Sequence, residues 1–346
     1  MSNLTSTNQS MDPNDLQTSK RLIAKAFPPG ALAEDSPAGP VIVAVNDANN
    51  GRGVFSHVLR VELTWPGADV GPSSVVVKFP ARNRNGEAAR RSGACLREAM
   101  AYRQLLLAAP IQAPRAYLVD LDDDNGACFV FEDLSHHRAV DQLDGLGVDD
   151  AIAVVEELRT LHQHGRHRDD LARFDLRRDT PSVFTSETLA AGLSTLEFRW
   201  ADWVDDRQRL GFQRLVANRE ALGEAFRQAS GATLCHGDPR ADNLVFDAAG
   251  RPILFDWQQI SRQIGEADLA WLAATSLTVE TRRNAEQQLV SAYGTSFDQY
   301  RLGYLLPGLA VLALAQRQAD DERSRRFITT SLQRIGSALD DLKIGH

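Results

Sequence analysis

Near the start of the chain, residues 41–45, 54–65 and 73–79 are β-branched and partly alternate between apolar and polar positions, with Asn-Gly and Pro-Gly punctuation between them. That pattern predicts an antiparallel meander. Ahead of it, residues 15–27 place Leu16, Leu22, Ile23 and Phe27 on one helical face, and Pro28-Pro29-Gly30 ends the helix. Residues 93–109 carry Leu96, Met100, Tyr102, Leu105 and Leu106 at mostly helical spacing. Strand character then returns at 113–121 and 127–131, around an Asp-Asp-Asp-Asn-Gly turn. From residue 148 the period lengthens, and helices are predicted over 149–164, 186–200, 205–229, 266–276, 279–293, 297–318 and 320–342. The expected organisation is a polar, disordered arm over 1–14, a strand-rich lobe with one main internal helix over 15–134, and a larger helical lobe over 135–346. Residues 132–147 are the hinge candidate, with a cleft expected between the lobes.

Composition narrows the class. A chain of 346 residues is long enough to bury a full core and to be an enzyme. With 38 Lys plus Arg against 46 Asp plus Glu, the net charge of -8 offers no basic footprint for a nucleic-acid backbone. Cys95, Cys128 and Cys235 are scattered without metal-ligand spacing, which predicts buried thiols in a reducing cytoplasm. The first residues lack the basic and apolar regions of a secretory leader, and no apolar run is long enough to span a membrane.

The densest chemistry lies in Leu234-Cys-His-Gly-Asp-Pro-Arg-Ala-Asp-Asn-Leu-Val-Phe246, followed by Pro252-Ile-Leu-Phe-Asp-Trp-Gln258. Two short apolar runs bounded by turn formers predict a hairpin that aims Asp238, Asn243 and Asp256 at one small volume. An Asp without an obvious basic partner can take a proton from a hydroxyl, while an amide oxygen and a second carboxylate are hard ligands suited to Mg²⁺. Protein kinases space their catalytic base and metal-binding Asn as Asp238 and Asn243 are spaced here.

Phosphoryl transfer also needs a cation for the phosphates. Lys78 ends the apolar run Val75-Val-Val-Lys78, and Glu98 on the following predicted helix is placed to pair with it. A lysine at a strand end is ordinarily just solvated, so Glu98 is what gives Lys78 its interest. Cys128-Phe-Val-Phe-Glu-Asp-Leu134 reads as a strand whose backbone at Glu132 and Leu134 could receive an adenine edge, or as an ordinary buried strand ending in a turn. The turn 49–56 has small residues, Gly53 and Ser56 among them, that let backbone N–H groups approach phosphate. The same residues serve tight hairpins for purely conformational reasons. His162, His164 and His167 are expected at a solvated helix end rather than at a metal. Phe198, Trp200 and Trp203 beside Asp202, Asp205 and Asp206 could form either a packing cluster or a wall for a cationic substrate.

Taken together, His236-Gly-Asp-Pro-Arg-Ala-Asp-Asn243, Phe255-Asp-Trp-Gln258 and Gly265-Glu-Ala-Asp-Leu-Ala270 resemble the motifs of the aminoglycoside phosphotransferase and choline kinase-like family. The variants look most like the ecdysteroid-kinase-like and acyl-CoA-dehydrogenase-associated branches. The resemblance implies an α+β, bilobal protein kinase-like fold over residues 35–320, with an N-terminal nucleotide-binding lobe and a C-terminal lobe holding the catalytic loop and acceptor site. It implies ATP and Mg²⁺ as cofactors and a small-molecule hydroxyl as acceptor. It implies Asp238 as catalytic base, Asn243 and Asp256 as metal ligands, Lys78 on the phosphates with Glu98 as its partner, and Glu132 and Leu134 on adenine. His236 would brace the loop, and Asp268 would steady it. Pro239 and Arg240 stand where antibiotic-modifying members often have Leu-His, so aminoglycosides are not implied. Arg240 is expected either to stabilise the transferring phosphoryl group or to pair with Asp242 at the surface. A nucleotide-binding scaffold and a protein kinase are the alternatives; the chain has no Ala-Pro-Glu segment to support the latter.

Overall fold

The computed structural model describes residues 13–28, 39–48, 56–66, 71–122, 126–168, 171, 184–229, 231–317 and 321–345. The chain divides into two compact units, Met1–Leu107 with Pro114–His136 and Ala108–Ala113 with His137–His346.

The first unit contains α1 (Pro13–Ala26), β1 (Val41–Asp47), β2 (Ser56–Thr64), β3 (Ser74–Pro80), α2 (Arg84–Arg91), α3 (Ala94–Met100), β4 (Ala116–Asp122) and β5 (Gly126–Glu132). The sheet order is β1-β2-β3-β5-β4, antiparallel throughout. The first three strands form the expected meander, and β5 inserts between β3 and β4. Side chains alternate along β3. Val75, Val77 and Phe79 pack with Leu59, Val61, Cys128 and Val130 beneath Leu22 and Ile23 of α1 and Phe27 just after it, leaving Lys78 for the opposite face. Each fully buried Leu, Ile or Phe of this layer contributes roughly 1.5–3 kcal/mol.

Two helical expectations change here. Residues 93–109 do not form one helix: α3 passes into a single π turn, Ala101–Leu105, which tucks Tyr102 against Phe129 and Phe131. The helix α2, Arg-Asn-Gly-Glu-Ala-Ala-Arg-Arg, has no apolar stripe to announce it in the sequence. The expected arm, residues 1–14, lies outside the described residues except for Pro13 and Asn14.

The second unit contains α4 (Val148–Arg166), α5 (Ser186–Phe198), α6 (Asp206–Ala217), α7 (Arg219–Gln228), β6 (Ala232–Cys235), β7 (Leu244–Phe246), β8 (Pro252–Leu254), β9 (Ser261–Ile264), α8 (Glu266–Ser276), α9 (Val279–Tyr293), α10 (Phe297–Gly303), α11 (Leu305–Ala315) and α12 (Glu322–Asp341). The expected hairpin is β7–β8, and β6 pairs with β9 to frame it. The single helix expected over 205–229 breaks at Asn218, whose Nδ2 donates to the carbonyls of Arg214 and Gly345. The one expected over 297–318 breaks at Tyr304, buried beside Tyr300. Side-chain caps from Thr185, Asp205, Thr278, Ser296 and Asp321 start five of the helices. Residues 141–145 are fastened to the helices by Arg334. Its Nη1 donates to the carbonyls of Gln142 and Thr275, both at 2.7 Å, and its Nη2 to Leu143.

In the first unit Asp133, at the end of β5, accepts from Ser74 Oγ (2.6 Å), Arg60 Nε (2.6 Å) and the Ser135 N–H (2.9 Å), tying three strands together. Burial alone would raise its pKa, but the hydrogen bonds from Ser74, Ser135 and Arg60 outweigh that and hold the carboxyl at about 2. A depressed pKa contributes stability that is present above the unfolded-state value and is lost as pH falls toward about 2. The carboxylate therefore contributes about 2 kcal/mol at neutral pH. Asp133→Asn should lower the unfolding free energy by that order at pH 7 and by progressively less under acid, read by urea titration at several pH values.

Candidate active site

The loop 236–243 is held by α8. Asp268, in the first turn of α8 and 1 % exposed, accepts the backbone N–H of His236 on Oδ2 (2.7 Å) and that of Gly237 on Oδ1 (2.9 Å). One turn on, Trp271 Nε1 donates to Asp238 Oδ1 at 2.7 Å. At the last residue of α8, Ser276 Oγ accepts the Ala241 N–H at 2.8 Å. These three residues lie on one side of the helix, so α8 fixes the loop at its start, middle and end. Gly237 is required at the entry. Its φ is 86°, and a Cβ there would lie 2.1 Å from the Gln259 carbonyl oxygen.

The His236 ring is fully buried and spans the loop. Nδ1 accepts the Asp238 N–H (3.2 Å), and Nε2 donates to the Phe255 carbonyl (3.0 Å). Burial lowers its pKa, as this neutral pattern requires. The Asn243 carbonyl accepts from the Phe255 N–H (3.0 Å), which ties the loop to the stretch carrying Asp256. Asn243 Nδ2 donates back to the Asp238 carbonyl (2.9 Å) and to Asp238 Oδ2 (3.1 Å), leaving its side-chain oxygen as a ligand atom. Asp256 adopts a left-handed backbone, φ 63° and ψ 62°, a conformation that costs a non-glycine residue about 1–3 kcal/mol and persists only where the surroundings hold it.

Arg240 pairs with Asp238 rather than with Asp242: its Nε lies 3.6 Å from Asp238 Oδ2, a charge contact too long for a hydrogen bond. Asp242 Oδ1 instead accepts the Gln142 N–H at 3.2 Å. The expectation that Asp238 lacks a basic partner is thereby corrected. Burial raises the Asp238 pKa and the Asp256 charge adds to this, while Arg240, His236 and Trp271 act in the opposite sense.

In the first unit Lys78 Nζ donates to Glu98 Oε1 at 2.8 Å. Lys78 is 8 % exposed and Glu98 1 % exposed, so this is a buried ion pair and not a solvated strand end. The Glu132 N–H donates to the Arg115 carbonyl (2.8 Å), and Leu134 follows β5, half-buried. Ser56 opens β2, paired in register with Pro80, whereas Gly53 lies outside the described residues.

A sequence model described as the phosphotransferase enzyme family matches residues 60–304. The chain belongs to that family. Among solved structures, the GDP and kanamycin complex of APH(2")-IIia is 12 % identical with a TM-score of 0.57, covering 94 % of this chain and 98 % of that one. The choline kinase LicA from Streptococcus pneumoniae is 16 % identical with a TM-score of 0.56, covering 92 % and 99 %. The amicoumacin kinase hAmiN in complex with AMP-PNP, Ca²⁺ and Ami is 14 % identical with a TM-score of 0.55, covering 96 % and 94 %. No curated protein sequence matches the chain significantly. The phosphotransferase has the α+β protein kinase-like fold.

The histidine expectation is corrected at one position. His162 of this phosphotransferase is 1 % exposed; its Nε2 donates to Asp268 Oδ2 (3.1 Å) and its Nδ1 accepts the Tyr293 hydroxyl (2.7 Å). His162, Cys235 and Asp268 come within 4.8 Å of one another. Their hydrogen-bonding atoms are committed to each other, to the Tyr293 hydroxyl and to the backbone, and burial holds the Cys235 thiol protonated, so the cluster acts as a brace behind the loop. Of the aromatic residues at 198–203, Trp200 takes the packing alternative. Trp200 is buried and donates to the Ala315 carbonyl, Phe198 is 83 % exposed, and Asp205 is spent as the cap of α6. Trp271, Ser276 and His162 were not singled out from sequence as parts of the site; only the first carries a positional cue, one helical turn after Asp268.

Asp268→Ala leaves two buried backbone donors and the His162 N–H unpaired. It should cost about 2–4 kcal/mol in chemical denaturation and accelerate amide hydrogen exchange at His236 and Gly237.

Proposed function

We propose that this phosphotransferase moves the γ-phosphoryl group of ATP, with Mg²⁺, to a hydroxyl of a small molecule. The reading is carried by the Asp238, Asn243 and Asp256 constellation, in which a half-buried carboxylate accepts from the Asn243 amide and feels the Asp256 charge. Asn243 Oδ1 and the Asp256 carboxylate fit a magnesium ion by donor chemistry and would hold it. Bound there, Mg²⁺ supplies charge neutralisation on the phosphate oxygens.

The protein's own groups do the rest. Asp238 orients the acceptor hydroxyl and takes its proton as the acceptor oxygen bonds to the γ-phosphorus and the bond to the leaving ADP oxygen breaks. Lys78, held by Glu98, binds the nucleotide phosphates, with Ser56 at the start of β2 beside them, and the backbone of Glu132 and Leu134 meets adenine. His236 and Asp268 keep the loop in place. Arg240 keeps a fixed positive charge next to the base, where charge develops on the transferring group. The solved structures named above include an APH bound to GDP and kanamycin, a choline kinase and an amicoumacin kinase, which supports a small hydroxylated acceptor. The buried free cysteines accord with a reducing, cytoplasmic setting. The intact Lys78–Glu98 pair supports catalysis over a scaffold role.

Asp238→Ala should lower turnover by about 10²–10⁴-fold while ATP binding, followed by calorimetry, persists; near-normal turnover would remove Asp238 as base. Arg240→Ala should reduce kcat by about 10²-fold with ATP affinity retained; unchanged kcat would reduce Arg240 to a structural neighbour.

A further inference from the structure

Both oxygens of Asp238 are already engaged by donors of the protein. Oδ1 accepts the Trp271 indole N–H at 2.7 Å, and Oδ2 accepts Asn243 Nδ2 at 3.1 Å, with Arg240 Nε at 3.6 Å. A carboxylate fixed on one oxygen only can swing about its Cβ–Cγ bond, whose torsion is broad and roughly two-fold. Held on both oxygens, it has one plane. The two donors come from different sources: Asn243 sits within the same loop, whereas Trp271 sits on α8, the helix that also fixes the His236, Gly237 and Ala241 backbone.

We propose that Trp271 is a positioning residue for the phosphoryl transfer, its indole N–H setting the plane of the Asp238 carboxylate against the acceptor hydroxyl. The inference rests on the base role given above to Asp238. Trp271 does not contact the transferring group, so its loss leaves the nucleotide contacts intact. Its contribution is orientation: a reacting group shifted by about 1 Å loses on the order of 10²-fold in rate. The N–H is the operative part. The indole ring, half-buried on α8, would pack equally well without it. An ordinary core tryptophan would instead express its loss as stability and not as a selective fall in kcat.

The test compares three proteins in steady-state kinetics with ATP and an accepted substrate: wild type, Trp271→Phe, and a protein carrying at position 271 the tryptophan isostere with sulfur in place of the indole N–H. Both altered proteins should lose about 10–100-fold in kcat with the KM for ATP within about two-fold of wild type, and the isostere should keep the wild-type Tm. Wild-type kcat in the isostere protein would overturn the proposal, as would a loss confined to Tm. Because Trp271→Phe can perturb folding, the intact protein supplies a second measurement. Of the five tryptophan indole N–H signals expected from the sequence, the one assigned to Trp271 should move on Asp238→Ala in ¹⁵N-tryptophan-labelled protein. An unmoved signal contradicts the contact. An active Asp238→Ala protein would remove the base assignment itself; an inactive one with a fully active isostere protein would remove only the role of Trp271.

Discussion

Everything in the candidate site depends on one carboxylate that does no chemistry. Asp268 accepts two consecutive backbone N–H groups at the start of the loop and a third hydrogen bond from His162 behind it. A buried carboxylate is costly unless its oxygens are filled, and here three donors fill them. The gain is geometric: the loop cannot move unless α8 moves. The bonds from Trp271 and Ser276 extend the same constraint to Asp238 and Ala241. The helix in turn is pinned by Arg334, which joins α12 to the Thr275 carbonyl and to residues 142 and 143. A catalytic loop with little regular structure of its own thus takes its rigidity from a helix packed in the core.

The electrostatics follow from that rigidity. Partial burial raises the Asp238 pKa and repulsion from Asp256 adds to it, while Arg240 offsets part of this. The left-handed backbone of Asp256 adds local strain in the same place. Two carboxylates and an amide oxygen held together against repulsion and strain are a poor way to stabilise a fold and a good way to prepare a cation site. In the first unit the Lys78–Glu98 pair is built on the same lines, with a buried lysine on β3 held by a carboxylate from α3.

Sequence patterns disclosed these features unevenly, for physical reasons. The strands of the first unit were legible because β-branched runs between turn formers have few other uses. The spacing from His236 to Asn243 was legible because so many polar residues gathered in one short loop between apolar runs have few purely structural uses. Trp271 was hidden because an aromatic residue in the largely apolar α8 reads as core. His162 was hidden because a histidine near a helix end usually meets solvent. The helix α2 lacks an apolar stripe, and the break at Asn218 occurs without Gly or Pro, since tertiary contacts make it. The break at Tyr304 lies between Gly303 and Pro307, breakers set in the apolar run that continues to Ala315. Of the two alternatives open for Arg240, the pairing with Asp242 fails because the fold engages Asp242 with Gln142 and brings Arg240 to Asp238.

The central claim is transfer of a phosphoryl group to a small hydroxylated acceptor, and phosphorus NMR tests it most directly. With the protein, ATP, Mg²⁺ and a panel of hydroxylated metabolites, the γ-phosphate resonance should be replaced one for one by a phosphate monoester resonance as ADP appears. ATP that is bound yet never consumed across the panel, or converted only to inorganic phosphate, would contradict the account.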